Sequence, residues 1–314
     1  MARPAASAAD DGGVPLASSS AAGRLGAGAK PEGLRSLAWR RFRRDRVAMF
    51  GLAMTFLIAV FVLSAGLISS ATGHDYAKGE LGQQFLPPGS PGHLLGTDTN
   101  GRDVLVRLAY GGRVSLTVAL VATFVTMLIG GGFGAVSGYF GGAVDGLMMR
   151  IVDVLLSIPG IPILILISVI YRPGFVGLAF VLALLGWPST ARMIRGEVLA
   201  RRSSDYVDSA RVVGATNGRI LARHIIPNVV PLMVVMISLS IPGLILSEAS
   251  LSFLGFGVRP PAPSWGNMLD GAQKYYAQSW TNVFIPGFMI WLTVLSINLI
   301  GNGVRDALDP RLRD

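Results

Sequence analysis

The residue types that usually carry enzymatic chemistry are scarce or badly spaced in this chain of 314 residues. A P-loop places Gly-Lys-Ser/Thr so that the lysine reaches bound phosphates, but the three lysines follow Ala29, Ala77 and Gln273. The three histidines form no HExxH or i, i+4 ligand pair. No GxSxG elbow occurs, and the lack of cysteine excludes thiolate nucleophiles, thiolate metal sites and disulfides. We therefore expect no catalytic residue, no metal site and no cofactor in this chain.

Two acidic residues lie at the ends of long apolar segments, where an ionisable side chain could mark an ion or proton pathway. Asp153 follows Arg150 by three residues, a spacing that favours a local ion pair on one helix face. Glu248 follows Ser247 at the end of another apolar run, and we favour a structural role for it. A proton-driven carrier would normally show more buried carboxylates than these.

Residues 203–227 have the pattern of two short amphipathic helices that meet at a glycine. Ser204 can cap the first helix, with Asp205 in its first turn. Its apolar residues recur at i, i+4, i+7 and are Tyr206, Ala210 and Val213. Gly214 suits the left-handed position that ends such a helix.

A second helix in this stretch would be capped by Asn217 and would end at Pro227. Its apolar side would consist of Ile220, Leu221, His224 and Ile225. A loop lying on the membrane surface is one interpretation. An exposed apolar face on a helix–Gly–helix is better explained by a partner that docks there.

The whole chain has the composition of an integral membrane protein. Hydrophobic residues make up 51% and charged residues only 14%, whereas soluble proteins carry about 25% charged residues. Six apolar segments are each long enough, or nearly so, to cross a bilayer. They are approximately Val47–Ile68, Val114–Val136, Val154–Tyr171, Gly174–Ala191, Val229–Ser247 and Val283–Ile300. The sequence therefore predicts an all-α protein with six transmembrane helices.

Basic residues between the apolar segments predict the orientation. The region up to Arg46 holds nine Lys or Arg, and residues 192–223 hold seven arginines, whereas the long segment 69–113 holds four basic residues. Positive residues remain on the cytoplasmic side, so both termini and the 192–224 loop are predicted to be cytoplasmic. The net charge of +9 is therefore attributed to topology. Aromatic residues are not interleaved with the basic ones as stacking platforms would be, so we expect no nucleic-acid partner.

The flanking and connecting segments complete the predicted organisation. Residues 1–33 are rich in Ala, Ser, Gly and Pro and are predicted to form a disordered cytoplasmic tail. Residues 34–46 contain six arginines with Trp39 and Phe42, which favours an interfacial helix on anionic lipid or, equally, a plain positive flank. The remaining predicted units are an extracytoplasmic segment 69–113, a five-span core 114–302 and a cytoplasmic tail 303–314.

Small and helix-breaking residues mark the predicted spans. Gly130, Gly134 and Gly138 recur at i+4, and the pattern continues to Gly142 and Gly146. Such a stripe lets a second helix approach closely. Prolines in or beside the spans would kink helices or end them early.

The residues of the 203–227 stretch resemble a known motif. Asp208-Ser209-Ala210, Gly214 four residues later, and Ile226-Pro227 resemble the EAA loop of ABC-importer permeases, with nine residues from Ala215 onward between Gly and the Ile-x-Leu-Pro position. Asp replaces Glu, Ser replaces the first Ala, His224 replaces the first Ile, and Ile226 replaces Leu. These changes are mild and preserve the helix–Gly–helix.

Longer stretches narrow the resemblance. LGTDTNGRDVLVRLAYGGRVSL, GYFGGAVDGLMMRIVDVLLSIP and SEASLSFLGFGVRPPAPSWGNML resemble the C-type permease subunit of peptide, dipeptide and nickel importers, as does the C-terminal GNGVRDALDPRL. The resemblance runs from about Leu34 to the end of the chain. It implies coupling to an ATPase subunit through Tyr206, Asp208, Ser209, Ala210, Gly214, Ala215, Ile226 and Pro227.

The resemblance also implies the missing parts of a transport system. These are a second, homologous permease subunit, two ABC ATPase subunits that bind ATP and Mg²⁺, and an extracytoplasmic substrate-binding protein, all at the bacterial cytoplasmic membrane. The cargo would be a dipeptide, an oligopeptide or a related small solute. The alternative class is a stand-alone channel or an ion-coupled secondary transporter, against which stand the few membrane carboxylates and the apolar face of the 203–227 stretch.

Overall fold

The computed structural model describes residues 34–270 and 272–308, so the predicted tail 1–33 and the last six residues of the predicted tail 303–314 lie outside it. The described chain is almost entirely helical, with only two isolated β-bridges. Its α-helices are α1 Leu34–Arg44, α2 Arg46–Leu63, α3 Ala65–Thr72, α4 Val104–Phe140, α5 Gly142–Ser157, α6 Gly160–Tyr171, α7 Phe175–Arg202, α8 Asp205–Val212, α9 Asn217–Ile220, α10 Ile226–Phe253, α11 Ala272–Tyr275 and α12 Thr281–Leu308. The predicted all-α class is confirmed.

The number of membrane crossings follows from helix lengths and from one pair of parallel helices. Five helices are long and apolar enough to cross a membrane: α2, α4, α7, the helical run Asn217–Phe253 that contains α10, and α12. Gly130 of α4 lies against Trp187 of α7, and Gly138 of α4 lies against Val198. Residue numbers thus increase together, so α4 and α7 run parallel. The chain between them must therefore return to the end of the bundle at which α4 begins. This makes α5 with α6 one further crossing, which brings the total to six.

This crossing, the third in chain order, begins earlier than the span predicted at Val154–Tyr171 and consists of two helices. The axes of α5 and α6 are bent by 81° at a short break. Pro159 supplies no N–H and restricts Ile158, which adopts extended angles of φ −83° and ψ 128°. By contrast, the prolines at 188, 231, 242 and 286 lie within continuous helices.

The helices also extend beyond the apolar runs from which their spans were predicted. The second crossing, α4, begins at Val104, within the segment 69–113 that was expected to connect spans, because Asp103 caps its first turn by accepting from the Val106 N–H. The last crossing continues to Leu308, within the predicted tail 303–314. An apolar run marks what can lie in lipid, whereas backbone hydrogen bonds let the helix continue into polar sequence.

The two ends of the bundle differ in content. At the arginine-rich end lie α1, the connection between α7 and α10, and the last turn of α12, where Gly303 approaches Ala48 and Phe42. At the opposite end, residues 73–103, 254–270 and 272–280 form what we call the cap. Arg113, near the start of α4, binds there to the carbonyl oxygen of Val62 at 2.9 Å. Residues 34 and 308 therefore lie at the same end, as six crossings require.

Candidate coupling site

The connection between α7 and α10 makes a sharp corner at Gly214. The residue has φ +84°, the left-handed conformation that the sequence predicts there. The Gly214 N–H donates to the Arg211 carbonyl at 2.9 Å, and the Ala215 N–H donates to the Ala210 carbonyl at 3.0 Å. This pair of bonds is a Schellman motif, which satisfies the last carbonyls of α8 and reverses the chain.

The helix α8 turns Val207 and Ala210 toward the bundle. Val207 is fully buried, and Ala210 packs beside it against the cluster that contains Ile194, Val198 and Ile220. Tyr206 is 39% exposed, while Val212 and Val213 are each 88% exposed. Tyr206 and Val213 are therefore exposed, as the predicted exposed apolar face requires, whereas Ala210 is partly buried because the inward face is centred between Val207 and Ala210.

The second part of the connection merges with the fifth crossing. Its N-cap is Thr216 and not Asn217 as expected, and α9 has only four residues. A π-helical turn, Leu221–Ile225, then joins α9 to α10. Pro227 therefore lies in the first turn of α10 and does not end a helix as expected. Ile220 and Ile225 are fully buried as the predicted apolar side requires. Motion of the corner is thus linked directly to α10.

Two hydrogen bonds attach the corner to the last turn of α4. The Tyr139 hydroxyl donates to Asn217 Oδ1 at 2.9 Å, and the Arg202 guanidinium donates to the Tyr139 carbonyl at 3.2 Å. Sequence reasoning did not identify Tyr139, because its partner lies 78 residues away. The corner is consequently anchored to α4, α7 and α10 at once.

The polar candidates on α8 make local contacts. Asp208 accepts from Arg211 at 2.7 Å, and Ser209 donates to the Asp205 carbonyl at 2.8 Å. Both candidates are exposed, and so are Ile226 and Pro227 at the start of α10. Ala210 and Ala215, by contrast, are partly buried and pack against the cluster beneath the corner. The most exposed apolar residues are Val213, which the sequence placed on the apolar face of the helix, and Val212, which had not been singled out.

The stripe of small residues lies where α4 meets α7. A Cβ atom at Gly130, Gly134 or Gly138 would come within 3.0 Å of a backbone oxygen of α7. The stripe does not continue to Gly142 and Gly146, since α4 ends at Phe140 and a side chain at either position would meet nothing within 4 Å. The close contact between α4 and α7 therefore supports the end of α7 from which the corner begins.

Ion pairs connect α5 to α7 at the same end. Arg195 donates from Nε and Nη2 to the two oxygens of Asp145 at 2.5 and 2.6 Å. Asp153 pairs with Arg192 of α7 and not with Arg150, its predicted partner. The reason is that α5 packs against α7, which brings a basic side chain of another helix to Asp153. Both members of that second pair are more than half exposed, so it adds little stability.

Glu248 occupies the buried centre of the cap end. Its side chain is fully buried, and its two oxygens accept from Ser115 at 2.8 Å and from Ser252 at 2.7 Å. Each serine in turn accepts a backbone N–H of the cap, from Trp265 and Val258 respectively. One carboxyl group therefore fixes two points of the cap to α4 and α10, which is a structural role of the kind expected for this residue.

Trp265, a residue of the cap, fills the space between α4 and α10. Its indole N–H donates to the Leu108 carbonyl at 2.9 Å, and its ring lies against Gly112, where any side chain would collide with it. The residue is fully buried. The cap is thus held by specific contacts on both crossings.

One cluster in the cap has the residue types of a metal site. The ligand atoms of His74, His93 and Asp103 lie within 4.8 Å of one another. His93 directs Nδ1 to Asp103 at 2.8 Å and Nε2 to Gln83 Oε1 at 2.9 Å. Both ring nitrogens of His93 are therefore engaged in hydrogen bonds. In this arrangement the cluster holds residues 83–103 together by hydrogen bonds.

An apolar groove runs along α4 and α10 in the middle of the bundle. Its volume is about 320 Å³, and it is lined by Leu120, Phe124, Leu128, Met233, Ile237 and Ile241. The large side chains of α4 in this groove are exposed in the single chain. This face is open to lipid or to another protein.

Six crossings and an exposed corner anchored to three of them are the architecture of a helical membrane permease. Residues 130–314 match the family described as "binding-protein-dependent transport system inner membrane component", and residues 33–88 match the "N-terminal TM domain of oligopeptide transport permease C". The chain belongs to this family of ABC-importer permeases.

Curated relatives and solved structures agree with this assignment. The chain is 39% identical to the dipeptide transport system permease protein DppC of Bacillus subtilis, over 88% of this chain and 85% of that protein. It is equally identical to the oligopeptide permease OppC of Haemophilus influenzae, over 88% of each, and to the glutathione permease GsiD of Pectobacterium atrosepticum, over 88% and 90%. A chain of the MetNI methionine ABC transporter shares the fold, with a TM-score of 0.54 and 20% identity over 65% of this chain and 96% of that one.

Proposed function

We propose that this chain forms one half of a pathway that carries dipeptides, oligopeptides or a related small solute across the bacterial cytoplasmic membrane. The relatives named for dipeptide, oligopeptide and glutathione transport support a peptide-like cargo. A second, homologous permease subunit would supply the other half. The open groove between α4 and α10 is a candidate surface for this pairing or for the pathway itself.

The observation that carries the mechanism is the exposed corner formed by residues 204–216. Val212 and Val213 point away from the bundle, while Val207 on the same helix is buried in it. An exposed apolar surface that is held rigidly by the bundle is typical of a site that binds in a groove of a partner protein. One of the two ABC ATPase subunits, which bind ATP and Mg²⁺, would dock here, and the closure of the ATPase pair would be transmitted to α7 and α10.

The proposed orientation places the arginine-rich end, with both termini, in the cytoplasm. Seven arginines in residues 192–223 and nine basic residues up to Arg46 support it through the positive-inside rule. The cap then lies on the extracytoplasmic side of the membrane, where a substrate-binding protein would deliver the cargo. The alternative of a stand-alone channel or ion-coupled carrier would need no docking surface at the corner.

Site-specific cross-linking tests the docking surface. A photo-reactive amino acid placed at Val213 in the native host should form an adduct with a protein that mass spectrometry identifies by its P-loop peptide. The same probe at Leu94, an exposed residue of the cap, should not capture that protein. An adduct to the ATPase from Leu94 and none from Val213 would reverse the proposed orientation, and no ATPase adduct at either position would refute docking.

A further inference from the structure

The short helix α1 and the last turns of α12 enclose a second groove, at the arginine-rich end. It measures about 450 Å³ and is lined by apolar side chains, among them Trp39, Phe42, Leu52, Val234, Val304 and Leu308. The Trp39 and Phe42 rings are stacked with their centroids 6.0 Å apart, and Trp39 remains more than half exposed. The groove therefore offers a continuous apolar surface with an aromatic wall.

The rim of this groove is strongly basic. Residues 34–46 contain six arginines and one acidic residue, Asp45. The Asp45 carboxylate accepts from the N–H groups of Val47 and Ala48, so it is engaged in capping α2. Arg43 and Arg44 are exposed, and the Arg43 guanidinium lies 5.9 Å from the centre of the Trp39 ring. The Arg43 guanidinium thus lies directly beside the aromatic wall of the groove, on a helix that carries a high positive charge.

We infer that this groove binds an anionic phospholipid. One acyl chain lies along the apolar lining, and the headgroup phosphate is held by Arg43, with Arg44 adding positive charge to the same helix. An amphipathic basic helix at a membrane surface attracts anionic headgroups electrostatically and buries its apolar side among acyl chains. The charge of the rim selects an anionic lipid over a zwitterionic one, and the apolar lining selects a lipid over a soluble anion. The inference rests on the proposed placement of α1 at the membrane surface and is independent of docking at the corner.

Native mass spectrometry of the full chain tests the headgroup contact. Phosphatidylglycerol and phosphatidylcholine with identical acyl chains are added at one equivalent each. We expect at least a fivefold preference for phosphatidylglycerol, lost in the double variant Arg43→Gln/Arg44→Gln. The matched control is Arg219→Gln/Arg223→Gln, which removes the same charge from exposed arginines at the same end and should retain the preference. Equal binding of the two lipids, or equal loss in the control, would overturn the proposal.

Fluorescence quenching tests the acyl-chain contact. Phosphatidylglycerol with brominated acyl chains, added at one equivalent, should quench tryptophan emission in the wild type. Much of this quenching should disappear in Trp39→Phe, a substitution that keeps an aromatic ring in the wall. Unchanged quenching in Trp39→Phe would place the lipid elsewhere and refute the site. These readouts need no ATPase, so a failure of coupling leaves them unaffected.

Discussion

At the scale of single residues, Glu248 shows how one buried group can hold two points of the cap through two serines. The carboxyl group receives two serine hydroxyls, and these in turn receive backbone N–H groups of the cap. Removal of a buried acceptor leaves its donors unsatisfied, at a cost of about 1–3 kcal/mol for each group. The packing of the cap should therefore depend on this one side chain.

We expect Glu248→Ala to lower the thermal unfolding temperature and to speed hydrogen exchange at residues 258–265. Glu248→Gln should be intermediate, because its amide keeps one acceptor oxygen. The control is Glu197→Ala, which removes a carboxylate from a partly exposed i, i+4 pair with Arg201 and should change stability by less than ~1 kcal/mol. If Glu248→Ala were as stable as Glu197→Ala, the carboxyl group would not hold the cap.

The residues that sequence reasoning placed correctly are those whose role is local. Gly214 could be predicted because a Schellman turn depends on a few consecutive residues. The partners of Glu248 could not, because Ser115 lies 133 residues away and nothing in either segment points to the other. The predicted ion-pair partner of Asp153 was wrong for the same reason, because the basic residue nearest to it in sequence is not the one nearest to it in space.

At the scale of elements, the contact between α4 and α7 determines where the corner lies. Three glycines of α4 face backbone oxygens of α7 at distances that exclude a side chain. This packing was predictable from the i+4 spacing, although the partner helix was not. The break between α5 and α6 lies at Pro159, one of the prolines expected to kink helices or end them early, but the size of the bend could not be predicted from the sequence.

Gly134→Val should prevent α4 from seating on α7. A Cβ atom there would clash with the Ala191 carbonyl, and backbone cannot yield as a side chain can. We expect the free energy of unfolding to fall by ~1–3 kcal/mol or more. The measurements are the yield of monodisperse protein and the unfolding temperature, both of which should decrease. Gly132→Val, two residues away and facing open space, is the control. Equal stability of the two variants would show that the stripe does not pack tightly.

At the scale of the whole molecule, six crossings place both described ends of the chain at the arginine-rich end. The chain has no native cysteine, so single cysteines can be labelled without background. Leu94→Cys in the cap should react with an impermeant maleimide in intact cells unless a partner covers it. Ser203→Cys, exposed between α7 and α8, should react only after permeabilisation. Labelling of Ser203→Cys from outside would invert the proposed orientation.

The central claim is that the Gly214 corner converts ATPase motion into transport, and coupled uptake measures it most directly. Gly214→Val forces a β-branched residue to φ +84°, which costs roughly 1–2 kcal/mol and misdirects the corner. The control is Gly218→Val, at a helical position with open space. In proteoliposomes that contain the complete transporter and its binding protein, we predict that Gly214→Val reaches the membrane but loses most ATP-driven uptake, while Gly218→Val retains it. Near-normal uptake by well-expressed Gly214→Val would contradict the account.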